Sequence, residues 1–353
     1  MKKEIDSAKP RRRKKSDDRR KASGPASRIL DLPPLVKKLL GPKPIIRVSH
    51  QAAMKLLGNL GFKFEVRHFG ESRLGLLRWS LRKPAPGTLP RRMLMVPGFG
   101  DTPLSWWSVL VGLKPVLKRE VDEVLIVDYP GYSGFLHDEV AFDSMDELVR
   151  VFREVVDSLK PEVMIGHSLG AWLAADYAAE RTESLRRLIL VDAGGLVATE
   201  EDRASYRGIF QTAIESGCEH LRPHVFAKAP LFMPLFEKEF FSFLATDEAR
   251  AFVESFEDRH LLNGRVGKIR ADTTVLWGEK DTLTPTRWIE QWMRELPEDR
   301  KKTGVLIRGS GHSPQVEKPG VVIALLTQIF LGKEPKNWAL LPLWKVVSPP
   351  SRN

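Results

Sequence analysis

Three residues of this 353-residue chain have surroundings suited to nucleophilic chemistry: Ser168, Asp281 and His312. Ser168 centres the run Gly166-His167-Ser168-Leu169-Gly170, after the apolar Val163-Met164-Ile165 and before the small-residue stretch Ala171-Trp172-Leu173-Ala174-Ala175. That succession reads as strand, sharp turn and helix, with a hydroxyl at the apex. A G-x-S-x-G turn in this setting strains its serine and thrusts the hydroxyl outward. The flanking glycines have no Cβ, so strand and helix can cross closely. A lone serine is a poor nucleophile; it needs a base, and the base needs an orienting acid. Both follow downstream. Thr273-Thr274-Val275-Leu276-Trp277-Gly278 reads as a buried strand, with Asp281 in the turn at its carboxyl end. Gly304-Val305-Leu306-Ile307 reads as another, ending in Arg308-Gly309-Ser310-Gly311-His312-Ser313-Pro314, where two glycines give a loop able to aim His312.

The elements that must hold these residues alternate along the chain. Residues 62–67 and 74–81 alternate in polarity like two antiparallel strands. Strands are then expected at 92–96, 123–127, 162–166 and 186–191, with helices at 103–117, 143–159 and 168–181 between them. Such alternation argues for a parallel sheet covered on both faces, with ligands beyond the carboxyl ends of its strands. Asp128 and Asp192 also stand at strand ends. Asp128 reads as structural, whereas Asp192 competes with Asp281 for the role of acid. His167 reads as a packing residue of the turn, and Asp101 as a cap for the helix opening at Thr102-Pro103. Between 197 and 268 the alternation stops and the chain reads as mostly helical. Its phenylalanines and methionines, at 232–236 and 240–244, either pack this insertion on the core or form a lid over an acyl chain. Phe232 and Phe236 are the lid contacts so nominated, and Trp106 is a further candidate for the pocket wall. Residues 48–60 read as a helix with Ala52, Leu56, Leu57 and Leu60 on one face, packed on the core or lying on a membrane.

Composition bounds the function. The chain is 42% hydrophobic and 29% charged, ordinary for a globular protein large enough for one α/β domain with an insertion. Cys218 is the single cysteine, so no intrachain disulfide can form, which suits a reducing, cytoplasmic setting. No dinucleotide-binding glycine signature and no clustered Cys/His ligand set occurs, so neither metal nor organic cofactor is expected. Residues 1–22 carry 11 Lys/Arg and 4 Asp/Glu, a net +7 of the whole chain's +11. That segment reads as a solvated, disordered tail; the sharper reading is a polybasic arm attracted to an anionic membrane surface, at roughly 1 kcal/mol per Lys/Arg. No aromatics interleave its charges, so specific nucleic-acid binding is not expected. No run approaches the length of a membrane span.

Taken together, the G-H-S-L-G, W-G-E-K-D and G-S-G-H-S-P runs resemble the α/β-hydrolase superfamily, specifically its serine esterase and monoglyceride-lipase-like members, over roughly residues 63–331. The resemblance implies a mostly parallel, eight-stranded sheet with helices on both faces and an inserted helical cap. Its boundaries fall as a basic tail at 1–26, a helical extension at 27–60, core at 61–196 and 269–333, cap at 197–268 and a C-terminal extension at 334–353. It implies that Ser168 is the nucleophile, His312 the base and Asp281 the acid, the W-G-E-K-D position being the commoner one. Met93-Leu94-Met95-Val96-Pro97-Gly98-Phe99-Gly100 resembles the strand and loop of an oxyanion hole, which makes the amides of Phe99 and Leu169 its donors. The family usually has His-Gly where this chain has Pro97-Gly98, and Ser133-Gly134 departs from the family's D-x-P-G-x-G-x-S loop. The expected substrate is a small-molecule carboxylic ester with a medium or long apolar acyl chain. Thioester, amide or carbon–carbon hydrolysis, acyl transfer and a non-catalytic binding role stand as alternatives.

Overall fold

Nearly every strand residue of the sheet interior is apolar because each face of the sheet carries its own core. The computed structural model describes residues 44–347 except 133, 182–184, 198, 232 and 337–341, and describes 44–47, 218 and 233–236 by backbone only. The basic tail, the apolar positions at 29–40 and Phe232 therefore lie outside the described residues. The described residues form one compact unit. Its elements are α1 (Pro44–Asn59), β1 (Phe62–Phe69), β2 (Ser72–Ser80), β3 (Arg92–Val96), α2 (Trp107–Glu120), β4 (Glu123–Asp128), α3 (Met145–Leu159), β5 (Val163–His167), α4 (Leu169–Glu180) and β6 (Arg187–Val191). A helical stretch follows, α5 (Glu200–Ser216), α6 (Arg222–Val225), α7 (Met233–Phe240) and α8 (Asp247–Glu254). The chain then returns as β7 (Asp272–Gly278), α9 (Trp288–Glu295), β8 (Lys302–Ile307), α10 (Pro314–Glu317), α11 (Pro319–Phe330) and β9 (Trp344–Val347).

The strand order is β1-β2-β4-β3-β5-β6-β7-β8-β9. Pairs from β4 to β8 are parallel, and β1/β2, β2/β4 and β8/β9 are antiparallel. The sheet thus has nine strands, not eight. Trp344, buried at the start of β9, pairs opposite Ile307 and draws part of the C-terminal extension into the sheet. Side chains alternate between faces. Leu94, Val96 and Met164 join the core beneath α3, α4 and α9, whereas Met93, Met95, Val163 and Ile165 join the core beneath α2 and α11. The order reverses between β3 and β5, since β4 lies on one side of β3 and β5 on the other. A crevice beyond the carboxyl ends of strands at such a switch point is where open α/β sheets bind ligands.

The expected helix at 103–117 begins as a 3₁₀ turn, Pro103–Trp106, before α2. Thr102 caps that turn by accepting from Leu104 N–H, while Asp101 accepts from Thr102 N–H and the Ser105 hydroxyl. The face expected of the first helix is also redistributed. Leu57 and His50 are buried, but Ala52, Leu56 and Leu60 are exposed, because α1 packs on β1 and α7 through a narrower stripe than the apolar positions suggest.

Candidate active site

The sharp turn after β5 is a steric solution with little slack. Ser168 sits at φ 53°, ψ −117°, a combination a non-glycine residue adopts only when its surroundings impose it, at a cost of order 1–3 kcal/mol. Ser168 N–H donates to Val191 O at 2.9 Å, and its carbonyl accepts Trp172 N–H and Gly194 N–H, so both neighbouring elements hold the turn. A Cβ on Gly170 would lie 2.0 Å from Val96 O, and one on Gly166 would lie 2.4 Å from Gly170 O. The glycines are thus required by the close approach of β3, β5 and α4.

Asp281 and His312 come from neighbouring strand ends and meet. His312 Nδ1 lies 2.8 Å from Asp281 Oδ2, with both residues buried. Asp281 Oδ1 accepts the N–H groups of Leu283 and Thr284 at 2.8 and 3.0 Å, and the Thr284 hydroxyl donates to Oδ2 at 2.6 Å. Those donors fix the carboxylate, and the carboxylate fixes the imidazole tautomer with its proton on Nδ1. His312 Nε2 is buried and has no hydrogen-bond partner among the described residues. The Ser168 hydroxyl is therefore not bonded to it in this conformation, as is common before a substrate tightens such a site.

The loop carrying His312 is held rather than loose. Gly309 takes φ 64°, but Gly311 is needed for close approach, since a Cβ there would lie 2.5 Å from Ala227 N. Gly311 N–H donates to Glu317 Oε1 at 2.8 Å. His167 Nε2 lies 2.7 Å from the carbonyl oxygen of His312 and must be the donor there. Its Nδ1 then accepts from the Gln315 amide at 3.3 Å. His167 thus supports the loop of the other histidine, a role that its place beside Ser168 in the sequence does not announce.

Ser168, His312, His167, Gly98 and Phe99 line one cavity of about 420 Å³. The rest of its wall is mostly apolar: Phe210, Leu221, Val225, Phe226, Phe240 and Phe241 from the helical insertion, with Leu104, Leu283 and Val316 from the core. Ser49 and His50 of α1 also reach it, which the sequence reading missed. Of the expected wall residues, Trp106 is not there; it is fully buried in the core beneath α2, because the 3₁₀ turn points it away. Phe236 is described by backbone only, within α7. The phenylalanines that do line the cavity include Phe240 and Phe241, one helical turn further along.

Phe99 follows β3, and its ring is clamped by edge contacts with Tyr132, Phe210 and Phe243 and by stacking on Phe252. Leu169 opens α4, where helix N–H groups and dipole favour negative charge. Behind the loop, the Tyr129 hydroxyl donates to Pro97 O at 3.3 Å, a tie across the position where the resemblance anticipates histidine. Asp128 is buried with Oδ1 and Oδ2 accepting Phe135 and Leu136 N–H, a structural role; burial pushes its carboxyl up to about 7. One atom each of Asp192, Asp281 and His312 lie within 4.8 Å of one another, the geometry of a cation cluster. Within it, Asp281 Oδ2 and His312 Nδ1 are bonded to each other.

Known proteins share this architecture. A monoacylglycerol lipase of Bos taurus is 24% identical over 323 residues, covering 83% of this chain and 88% of its own length. The 2-hydroxy-6-oxo-6-phenylhexa-2,4-dienoate hydrolase of Comamonas testosteroni is 26% identical over 209 residues, covering 55% of this chain and 72% of its own. Among solved structures, a bacterial membrane phospholipase A superposes with a TM-score of 0.60 at 20% identity, covering 82% of this chain and 92% of its own. Residues 93–325 carry strands β4 to β8 and, apart from Ser49 and His50, every residue named in the cavity wall; they match the model of the alpha/beta hydrolase family, and the chain belongs to that family.

Proposed function

We propose that the chain is a serine-dependent carboxylic ester hydrolase for substrates with an apolar acyl chain. The observation that carries this reading is that Ser168 and His312, whose Nε2 is unpartnered, line one cavity whose wall is otherwise mostly phenylalanine, leucine and valine. His312 Nε2 takes the Ser168 proton as the hydroxyl attacks the ester carbonyl. Asp281 holds the imidazole and stabilises the imidazolium that forms. The oxyanion is received by the N–H groups of Phe99 and Leu169, each such donor worth about 2.7–4 kcal/mol. The alcohol leaves with the proton from His312, and water, deprotonated by the same nitrogen, releases the acid from Ser168.

The monoacylglycerol lipase relative supports an ester with a long chain. Each methylene enclosed by the cavity contributes about 0.8 kcal/mol, roughly fourfold in kcat/KM. The test is a series of p-nitrophenyl esters of increasing chain length, with fluorophosphonate labelling of the protein. Stepwise gain in kcat/KM from acetate to medium chains, and labelling that Ser168→Ala abolishes, are expected. A flat series or labelling elsewhere overturns the reading. The dienoate hydrolase relative keeps a second reading in view, hydrolysis of an unsaturated keto acid. It fits less well: no Lys or Arg among the described residues lines the cavity to meet a substrate carboxylate.

A further inference from the structure

Behind His312 lies a second carboxyl that the proposed reaction leaves unused. Asp192, at the end of β6, is fully buried and takes φ 45°, a left-handed backbone unusual for aspartate. Its N–H donates to Leu276 O at 2.9 Å, and its Oδ1 accepts Gly278 N–H at 2.7 Å. Its Oδ2 has no hydrogen-bond partner among the described residues. One oxygen of its carboxyl nevertheless lies within 4.8 Å of one of the Asp281 carboxyl. Two ionised carboxylates are acceptors only and cannot bond to one another. Two like charges this close, both removed from water, do not persist together. A single proton held by the pair would remove both penalties.

The partners decide where it resides. Asp281 accepts four hydrogen bonds, from Leu283 N–H, Thr284 N–H, the Thr284 hydroxyl and His312 Nδ1. Asp192 accepts one. Burial above all, and then the negative charges of Asp281 and Glu317, push the Asp192 carboxyl well above the usual carboxylate range. The Thr284 hydroxyl lies between the two residues, 2.6 Å from Asp281 Oδ2 and 3.4 Å from the Asp192 carbonyl oxygen.

Resting on the hydrolase reading above, we propose that Asp192 is a neutral positioning acid whose O–H donates from Oδ2 to the Asp281 carboxylate and holds it against His312 Nδ1. The same geometry makes it a reserve anion. If Asp281 is made neutral, the repelling charge is gone; burial still favours the neutral form, but Asp192 ionises at lower pH than in wild type and supplies a carboxylate within 4.8 Å of the imidazole.

The experiment combines kinetics of four variants with infrared spectroscopy of the substrate-free protein. Asp192→Ala should lower kcat at least about tenfold with KM little changed, since it loosens the orientation of a catalytic group. Asp192→Asn should restore most of that loss, because its amide N–H can donate to Asp281 while its oxygen accepts Gly278 N–H. Asp281→Asn should keep a residual rate that rises with pH, and the double variant Asp281→Asn with Asp192→Asn should lose that rising part by about tenfold or more. In an Asp128→Asn background, which removes that residue's own signal, the carbonyl band of a protonated carboxylic acid should be present with Asp192 and absent in Asp192→Asn. Equal impairment of the Ala and Asn variants, identical pH profiles of Asp281→Asn and the double variant, or an Asp128→Asn protein with Asp192 intact and no band would each overturn the proposal. The band is read without substrate. A wild type that fails to cleave esters would thus sink the hydrolase reading, while the shared proton stands or falls on its own signal.

Discussion

At the scale of single residues, the site is a set of groups fixed by partners far away in the chain. His167 is the sharpest case. Its Nε2–H holds the carbonyl of His312, 145 positions later. Removing that donor should let the base drift without touching Ser168. We expect His167→Ala to lower kcat by about tenfold to a hundredfold, with KM changed far less, measured by steady-state kinetics on a soluble ester. A loss confined to KM would place His167 in substrate binding instead. Ser168, Asp281 and His312 were legible in the sequence because each follows an apolar strand with a turn signal beside it. Thr284, Gln315 and the loop-holding role of His167 were not, because their function exists only once β5, β7 and β8 are side by side. Asp192 was legible as a carboxylate at a strand end; its lack of a donor for Oδ2 was not.

At the scale of elements, the insertion supplies the cavity wall, yet its contributing face could not be chosen from composition. Phenylalanines crowd both 232–236 and 240–244, and a helix presents only part of its circumference to a partner. Phe241 is buried and lines the cavity, while Phe243 is buried against Phe99 and Gly100. The expected outcome of Phe241→Ala is a fall of about tenfold or more in kcat/KM for a long-chain ester, with the acetate ester changed by less than about threefold. Equal losses on both would make Phe241 a support of the fold rather than of the chain. The insertion is tied to α4 by Trp172 Nε1–H, which donates to His260 O at 2.8 Å, and to α3 by the 2.9 Å contact of His260 Nε2 with Asp146 Oδ1. The core strands and the helices at 143–159 and 168–181 were read to within about two residues because their apolar spacing is strict, whereas α9 and α11 were not read at all. Nor was the ninth strand, since Trp344-Lys345-Val346-Val347 is too short to declare a period.

At the scale of the whole molecule, two features couple the protein to its surroundings. The first is Asp128, whose folded carboxyl holds its proton to about pH 7, whereas an unfolded one releases it near 4. Within that interval the folded state binds more protons, so stability falls as pH rises from about 4 to 7 and levels off above, by up to about 4 kcal/mol from this group. Thermal unfolding followed across that range should show the decline. Asp128→Asn should start less stable, because its amide cannot accept both Phe135 and Leu136 N–H, and should decline less steeply. The second feature is the basic segment at 1–22, with +7 of the net charge. We propose that it holds the enzyme at anionic bilayers. Deleting residues 1–26 should weaken co-sedimentation with phosphatidylserine vesicles at least about tenfold while hydrolysis of a soluble ester is unchanged; undiminished sedimentation would remove that role. Among the described residues no helix is long and apolar enough to cross a membrane. Ser49 and His50 place α1 in the cavity wall that Ser168 and His312 also line. A protein trimmed to its sheet and crossover helices would lose that part of the enclosure, and the pocket would stand open on the side that α1 now covers.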